Sequence, residues 1–385
     1  MEPKTKKLKI LILSCNTGEG HNMAARAIAE RCEAEGHDAE IVDFLGLGGK
    51  HSSSFISDTY IRLAKYFPYV FGFFYNAMLA ISRTFYIGHS IVYWLNARIA
   101  PKLQLFLEKN QYDAVVATHM FPADAIAKLK HKGVKLPMTV MVSTDYTCYP
   151  FLEEAICDYY VLPHEDLIPV YAKRGIPERK LCPFGIPVSM RFASRIARAD
   201  AREVLGFSQS EQLYLVMGGS MGAGKIRSFV KKLAETVTEG RIIVICGKNE
   251  RLRRSLEKTL SACANVTLVG FTTEIPQYMA ACDVLYTKPG GLTSTEALVC
   301  HTPTVHTAPI PGCESDNMVF FRDRGLALPA KSRKQKIECG RLLAENPEKR
   351  ETMRRCQERV AKPDTTLRLV RLIEEKHATS SEEAV

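Results

Sequence analysis

Residues 8–14, LKILILS, form a short apolar run that stops at the turn cluster Asn16-Thr17-Gly18-Glu19-Gly20. The helix-forming stretch MAARAIAERCEAEG follows and closes at Gly36. This strand, glycine loop, helix order recurs along the chain and constrains the fold more than any other feature. Strands are expected near 39–43, at 113–118 (DAVVAT), at 138–143 (MTVMVS) and in DYYVLP, with helices near 122–131 and 164–174. A second series has strands at 212–217, 241–246, 265–269, 283–286 and 303–306, with helices between them. Short, wholly apolar strands alternating with helices belong to parallel sheets covered on both faces. Pro177, Pro183, Gly185 and Pro187 crowd Ile176–Ala199 and mark it as a linker between two doubly wound α/β halves. Ligands of such sheets bind at the carboxyl ends of the strands, and two halves imply a cleft. The last forty residues read as two amphipathic helices and a disordered polar tail, ATSSEEAV.

The glycine loops are informative where they miss familiar motifs. Gly18-Glu19-Gly20 begins a G-x-G-x-x-G, but its last position is Met23, where helix–strand packing needs a small residue. Gly219 to Lys225 imitates a P-loop, yet Ile226 stands where a hydroxyl must hold magnesium, which argues against kinase or ATPase chemistry. The run Gly218–Gly224 still ends a strand and opens a helix, an arrangement that offers bare N–H groups to phosphate. Lys288-Pro289-Gly290-Gly291-Leu292-Thr293-Ser294-Thr295-Glu296 repeats it. Thr293 and Glu296 share a helix face, so a carboxylate there could grip a ribose diol; the alternative is a cap made by Ser294 or Thr293. Glu314, Asp316 and Asn317 crowd a third loop, as a hydroxyl-rich ligand requires or as a helix cap would. His21, at the end of the first loop, is suited to proton transfer near neutral pH.

Charge and cysteine content narrow the class of partner. Lysine and arginine number 52 against 42 acidic residues, an excess of +10 that favours an anionic partner. The twelve cysteines include no C-x-x-C pair, which removes a zinc ribbon and a thioredoxin-type site and points to a reducing, cytoplasmic setting. The uncharged stretch between Lys65 and Arg83 is shorter than the roughly 20 residues of a spanning helix. The window 55–106 is rich in Phe, Tyr, Ile and Leu and carries Arg62, Lys65, Arg83, Arg98 and Lys102 against Asp58 alone. Aromatics with cations at their margins suit a membrane interface; a plain hydrophobic insertion is the other reading.

The segments GEGHNMAARAI, THMFPADA, TDYTCYP, FGIPV, VMGGSMGAGK, VGFTTEIPQYMAACDVLYTKPGGLTSTEAL and PIPGCESDN, taken together, resemble the monogalactosyldiacylglycerol synthase and processive diacylglycerol glucosyltransferase family of glycosyltransferase family 28. The resemblance implies an α/β GT-B fold of two Rossmann-like domains. They would comprise an acceptor- and membrane-binding domain over 1–190 and a UDP-sugar-binding domain over 191–362. A C-terminal helix and tail over 363–385 would follow, the helix packing back on the first domain. It implies an inverting transfer of glucose or galactose from a UDP-sugar to diacylglycerol, without a metal or other cofactor, by a protein resting on the inner face of the cell membrane. Residue by residue, His21 would be the base. Gly218, Gly219, Ser220, Gly222, Gly291 and Thr293 would face the diphosphate, Phe271 the uracil, Glu296 the ribose, and Glu314, Asp316 and Asn317 the donor sugar. Arg62, Lys65, Arg83 and Trp94 would meet acceptor and anionic membrane. Three readings compete. One is a UDP-N-acetylglucosamine-dependent transferase acting on a polyprenyl-linked peptidoglycan precursor; another is a UDP-sugar epimerase on the same fold; the third is a non-catalytic protein that binds anionic membranes. No nucleic-acid-binding motif appears. The chain departs from the family pattern at Cys313, where a glutamine is common, and at Tyr149, where T-D-x-x-x-H is common.

Overall fold

The computed structural model describes residues 6–16, 18–49, 67–84, 90–218, 226–237, 239–261 and 263–382. It divides into two compact units, one of residues 1–190 with 362–385 and one of residues 191–361. Each is built on a wholly parallel six-stranded sheet.

The first sheet comprises β1 (Lys9–Ser14), β2 (Asp38–Asp43), β3 (Ala114–Ala117), β4 (Met138–Val142), β5 (Tyr159–Val161) and β6 (Leu181–Cys182), in the order β2-β1-β3-β4-β5-β6. Its central strands are buried on both faces, so their sequences are apolar throughout rather than alternating. Helices used below are α1 (Glu19–Ala34), α2 (Pro68–Thr84), α3 (Ile91–Asn96) and α4 (Met120–His131). The stretch 164–174 is split by Pro169 into a 3₁₀ turn at Glu165–Leu167 and the short helix Ile168–Ala172. Part of the segment read as linker is β6, which joins the sheet edge beside β5.

The second sheet comprises β7 (Leu213–Met217), β8 (Arg241–Ile245), β9 (Val266–Val269), β10 (Val284–Thr287), β11 (Thr304–His306) and β12 (Leu328–Pro329). Its order is β12-β11-β10-β7-β8-β9. In both units the strand order reverses beside the first strand, between β1 and β3 and between β7 and β10. Those two switch points are where crevices form in doubly wound sheets. Two further helices, α5 (Gly291–Val299) and α6 (Cys313–Asp323), belong to the second unit.

The final helix, α7 (Thr365–Glu382), returns to the first unit. Leu369, Val370, Leu372 and Ile373 enter one core with Ile10, Ile12, Ile28 and Val140. The segment Ala378–Glu382, expected to be a disordered tail, is helical. The anchored apolar turns before it carry the nucleation cost, so each later residue needs only to propagate.

The second unit has a buried ionic centre. Arg202 is fully buried and its Nη2 lies 2.8 Å from Asp283 Oδ2. Its remaining N–H groups donate to the carbonyls of Ala281, Ser208, Gln209 and Glu211. Asp283 also accepts from Leu213 N at 2.9 Å, fixing the starts of β7 and β10 together.

Candidate active site

In the first unit the switch point lies between β1 and β3. The turn after β1 is wired by polar side chains. Ser14 Oγ donates to Asn22 Oδ1 at 2.6 Å, Asn22 Nδ2 to Asn16 Oδ1 at 2.8 Å, and Asn16 Nδ2 to Asp43 Oδ2 at 3.0 Å. This places His21 in the first turn of α1. Its Nδ1 is 2.9 Å from Thr118 O, beyond β3, and 3.0 Å from Thr144 Oγ1, beyond β4. A carbonyl oxygen can only accept, so Nδ1 carries the hydrogen and Nε2 holds a bare lone pair. Burial pushes the imidazole down to about 4, against the opposing effect of the Thr118 bond. The ring is therefore neutral at pH 7 and able to take a proton on Nε2.

Sequence reasoning missed His119. It caps α4, its Nδ1 accepting from Phe121 N at 3.1 Å, so its hydrogen sits on Nε2. Its ring meets His21 edge-on at 4.5 Å between centroids. Burial and the neighbouring His21 hold it well below the ordinary histidine range. The signal was available: Thr118-His119 ends β3 at the switch point, the counterpart of the loop that ends β1.

In the second unit, loops from β7 and β10 flank the switch point. Gly218 follows β7 where a Cβ would lie 2.3 Å from Ile226 Cδ1, so a side chain there would displace the end of the Ile226 side chain. Gly219, Ser220 and Gly222 fall outside the described residues. A cavity at the strand ends is lined by Gly218, Ile226, Tyr286, Lys288, Thr307 and Lys336. Lys336 brings an ammonium group to it, and Lys288 a second that is paired with Glu314.

The loop after β10 leads into α5 with Gly290 at the cap and no side-chain capping bond. Of the two hydroxyls expected as alternative caps, Thr293 and Ser294, that of Ser294 goes elsewhere. Ser294 Oγ pairs with His306 Nε2 at 3.0 Å and Thr295 Oγ1 donates to Gly291 O at 2.7 Å. The first-turn N–H groups beside Gly291 and the half-buried Thr293 thus lack a hydroxyl cap, as an anion-binding terminus requires. Glu296, one turn on, is buried, and burial pushes its carboxyl up to about 8.

The third loop turns at Gly312, whose φ of 114° and ψ of −138° only glycine adopts without strain. Glu314 is held at both oxygens: Lys288 Nζ lies 3.0 Å from Oε1, and Ile310 N donates to Oε2 at 2.6 Å. Asn317 is buried and its Nδ2 donates to Pro289 O at 2.9 Å. These two residues tie the third loop to the second. Asp316 is partly exposed in the first turn of α6. Phe271 is 67% exposed after β9, with Lys248 Nζ 5.6 Å above its ring.

Of the residues expected to meet membrane, Arg62 and Lys65 lie outside the described residues and Arg83 is in the last turn of α2. Trp94 on α3 is 56% exposed, with Lys128 Nζ 5.7 Å above its ring. Phe67, Val70, Phe73, Phe74 and Ile81, at or on α2, are also exposed. Among the described residues no helix is long and apolar enough to cross a membrane.

Two doubly wound units in series, each with a polar site at its switch point, define the GT-B class of fold. Solved structures share it. MurG of Acinetobacter baumannii superposes with a TM-score of 0.62 at 14% identity, covering 96% of this chain and 100% of that one. The UDP-GlcNAc 2-epimerase of Neisseria meningitidis, bound to UDP-GlcNAc, gives 0.58 at 14% identity, covering 94% and 99%. Sequence matches narrow the class. The monogalactosyldiacylglycerol (MGDG) synthase model matches residues 21–188, and the glycosyltransferase family 28 C-terminal domain model matches residues 213–318. The processive diacylglycerol beta-glucosyltransferase of Staphylococcus saprophyticus is 27% identical over 371 residues, 95% of this chain and 92% of the relative. In chain order, the MGDG synthase match falls within the first unit and the glycosyltransferase family 28 C-terminal match within the second.

Proposed function

We propose that this protein transfers a hexose from a UDP-sugar to the free hydroxyl of diacylglycerol, with inversion at the anomeric carbon. The observation that carries the reading is the ordered match of both units to enzymes of this kind, with a neutral histidine bearing a bare Nε2 at the first switch point. The relatives' name favours glucose as the sugar. His21 Nε2 takes the hydroxyl proton while that oxygen attacks the anomeric carbon, and the bond to the UDP oxygen breaks on the opposite face. The departing diphosphate gains charge near the Gly218 loop and the first turn of α5 at Gly291 and Thr293, where amides aimed in advance stabilise it without a metal. Phe271 flanks the uracil, Glu296 takes the ribose hydroxyls, and Asp316 faces the sugar. Glu314 and Asn317 shape that loop through Lys288 and Pro289. The exposed apolar side of α2 with Trp94 rests on the bilayer, and the basic excess favours anionic lipid.

The test is a lipid-product assay with UDP-glucose, UDP-galactose or UDP-N-acetylglucosamine, run in parallel on vesicles holding diacylglycerol and on vesicles holding a polyprenyl-linked acceptor. Glycosyl-diacylglycerol from UDP-glucose, lost in His21→Ala with UDP-glucose binding kept, is the expected result. No glycolipid from any donor overturns the reading. Transfer confined to UDP-N-acetylglucosamine and a polyprenyl-linked acceptor replaces it with the peptidoglycan-type one.

A further inference from the structure

The loop after β4 carries a polar chain that ends on the back of His21. Thr144 Oγ1 lies 3.0 Å from His21 Nδ1 and 3.1 Å from Tyr149 Oη. Tyr149 Oη donates to Asp145 Oδ2 at 3.0 Å and accepts from Thr144 N at 3.2 Å. Thr144 is buried, while Asp145 and Tyr149 are partly exposed and Tyr149 packs its ring on the core of the unit.

The direction of every hydrogen in this chain follows from its end. A carboxylate only accepts, so the Tyr149 hydroxyl hydrogen points to Asp145. The Tyr149 oxygen is then an acceptor, and it takes the Thr144 hydroxyl hydrogen as well as the Thr144 N–H. That leaves a Thr144 lone pair facing His21 Nδ1, which must carry the hydrogen. Thr118 O demands the same tautomer from the other side.

We propose that Tyr149 is a positioning residue: with Asp145 it sets the direction of a hydrogen-bond relay through Thr144 that keeps His21 protonated on Nδ1 and bare on Nε2. The proposal rests on His21 being the base. The relay does for this histidine what a directly bonded carboxylate does in a hydrolase triad, with two hydroxyls interposed. It also gives the positive charge that develops on His21 a carboxylate to face. Without the Tyr149 hydroxyl, the Thr144 hydrogen loses its acceptor. It can then turn onto His21 Nδ1 and favour the tautomer with no lone pair on Nε2, against Thr118 O, which is left alone to hold the hydrogen on Nδ1, so the two tautomers mix. His119 is the other titratable ring packed on His21, and its Nδ1 is committed to Phe121 N, so it does not replace the relay.

Three variants test this in the full-length protein, with UDP-glucose and diacylglycerol vesicles. Tyr149→Phe keeps the ring and removes the hydroxyl, Asp145→Asn keeps the shape and removes the charge, and Tyr149→His restores a donor and an acceptor. The first two are expected to lower kcat by about ten- to a hundredfold, part of what a general base contributes, with KM for UDP-glucose unchanged. Their combination should be no worse than either alone. Tyr149→His should recover activity that the closer-shaped Phe does not, an order that a purely structural role would reverse. Nitrogen-15 spectra of histidine-labelled protein, assigned with His21→Gln, should show the Nδ1–H tautomer in the native protein and a mixture in Tyr149→Phe. An unchanged tautomer in Tyr149→Phe and Asp145→Asn, or unchanged kcat, overturns the relay. Full turnover in His21→Gln overturns the base instead, a result separate from the tautomer measurement.

Discussion

Replacing Glu296 with glutamine should make the protein more stable and worse at holding its donor. The carboxyl is buried, and burial raises it from 4.5 to about 8. The folded state therefore binds this proton more tightly than the unfolded state. Stability falls as pH climbs from the unfolded value to the folded one, and is level outside that window. A tenfold difference in proton affinity is worth about 1.4 kcal/mol, so between about pH 5 and about pH 8 the carboxyl costs roughly 3 to 4 kcal/mol that glutamine does not incur. Urea unfolding of both proteins at those two pH values measures the difference directly. Glu296→Gln should be near wild type at the lower pH and more stable by that amount at the higher one.

The donor side carries the opposite sign. If the carboxylate accepts two ribose hydroxyls, binding UDP-glucose below about pH 8 must release a proton, and affinity falls by up to about tenfold for each unit the pH is lowered. The diphosphate diester of UDP-glucose holds no proton to confuse the count. Isothermal titration in two buffers of different ionisation heat reads the release, and Glu296→Gln should abolish it while weakening binding. Parallel stability curves for the two proteins would refute the raised carboxyl. Proton-free binding of constant affinity would refute its role at the ribose. A carboxyl retained against stability is the expected mark of a ligand group.

Arg202→Met should destabilise the second unit by about 3–5 kcal/mol, because it weakens the compensation of buried Asp283 and strands four backbone carbonyls; denaturant unfolding measures it. Phe73 and Phe74 are 70% and 55% exposed on α2, and Phe73→Asp with Phe74→Asp should weaken binding to anionic vesicles by at least about tenfold, from roughly 1.5–3 kcal/mol per inserted ring. Cosedimentation of the double variant at wild-type strength would remove α2 from the membrane face.

The strands were legible because each central one is buried on both faces, which leaves no polar alternation and writes an apolar run into the sequence. Expected and observed limits agree within one or two residues for β1, β3, β4 and all strands from β7 to β11. Of the four edge strands, β2 and β9 were legible and β6 and β12 were not. β6 and β12 are two residues long, and the second ends on Pro329, so neither has the length for a pattern. The tail of α7 was not legible either, because Thr379, Ser380 and Ser381 have weak intrinsic helix preference, and the preceding buried turns decide their state.

The candidate site divides along the same line. Loops that follow strands could be found because glycine spacing is local, and they led to His21, Gly218, Gly291 and Glu296. Polar pairings across long separations could not. Ser294 has the composition of a helix cap, yet its hydroxyl serves His306, and Gly290 caps the helix without a side chain. Glu314 has the composition of a sugar acceptor, yet Lys288, 26 residues earlier, occupies one of its oxygens. Thr144 sits 123 residues from His21, so the relay behind the histidine leaves no trace in any window. In each case the sequence supplies the donor and acceptor types, and only the parallel sheet, by bringing the carboxyl ends of its strands to one edge, determines which donor meets which acceptor. A substitution at such a position is therefore judged by the partner it faces: Tyr149 keeps a hydrogen-bonded connection to Asp145 and Thr144 although its side-chain chemistry departs from the common histidine.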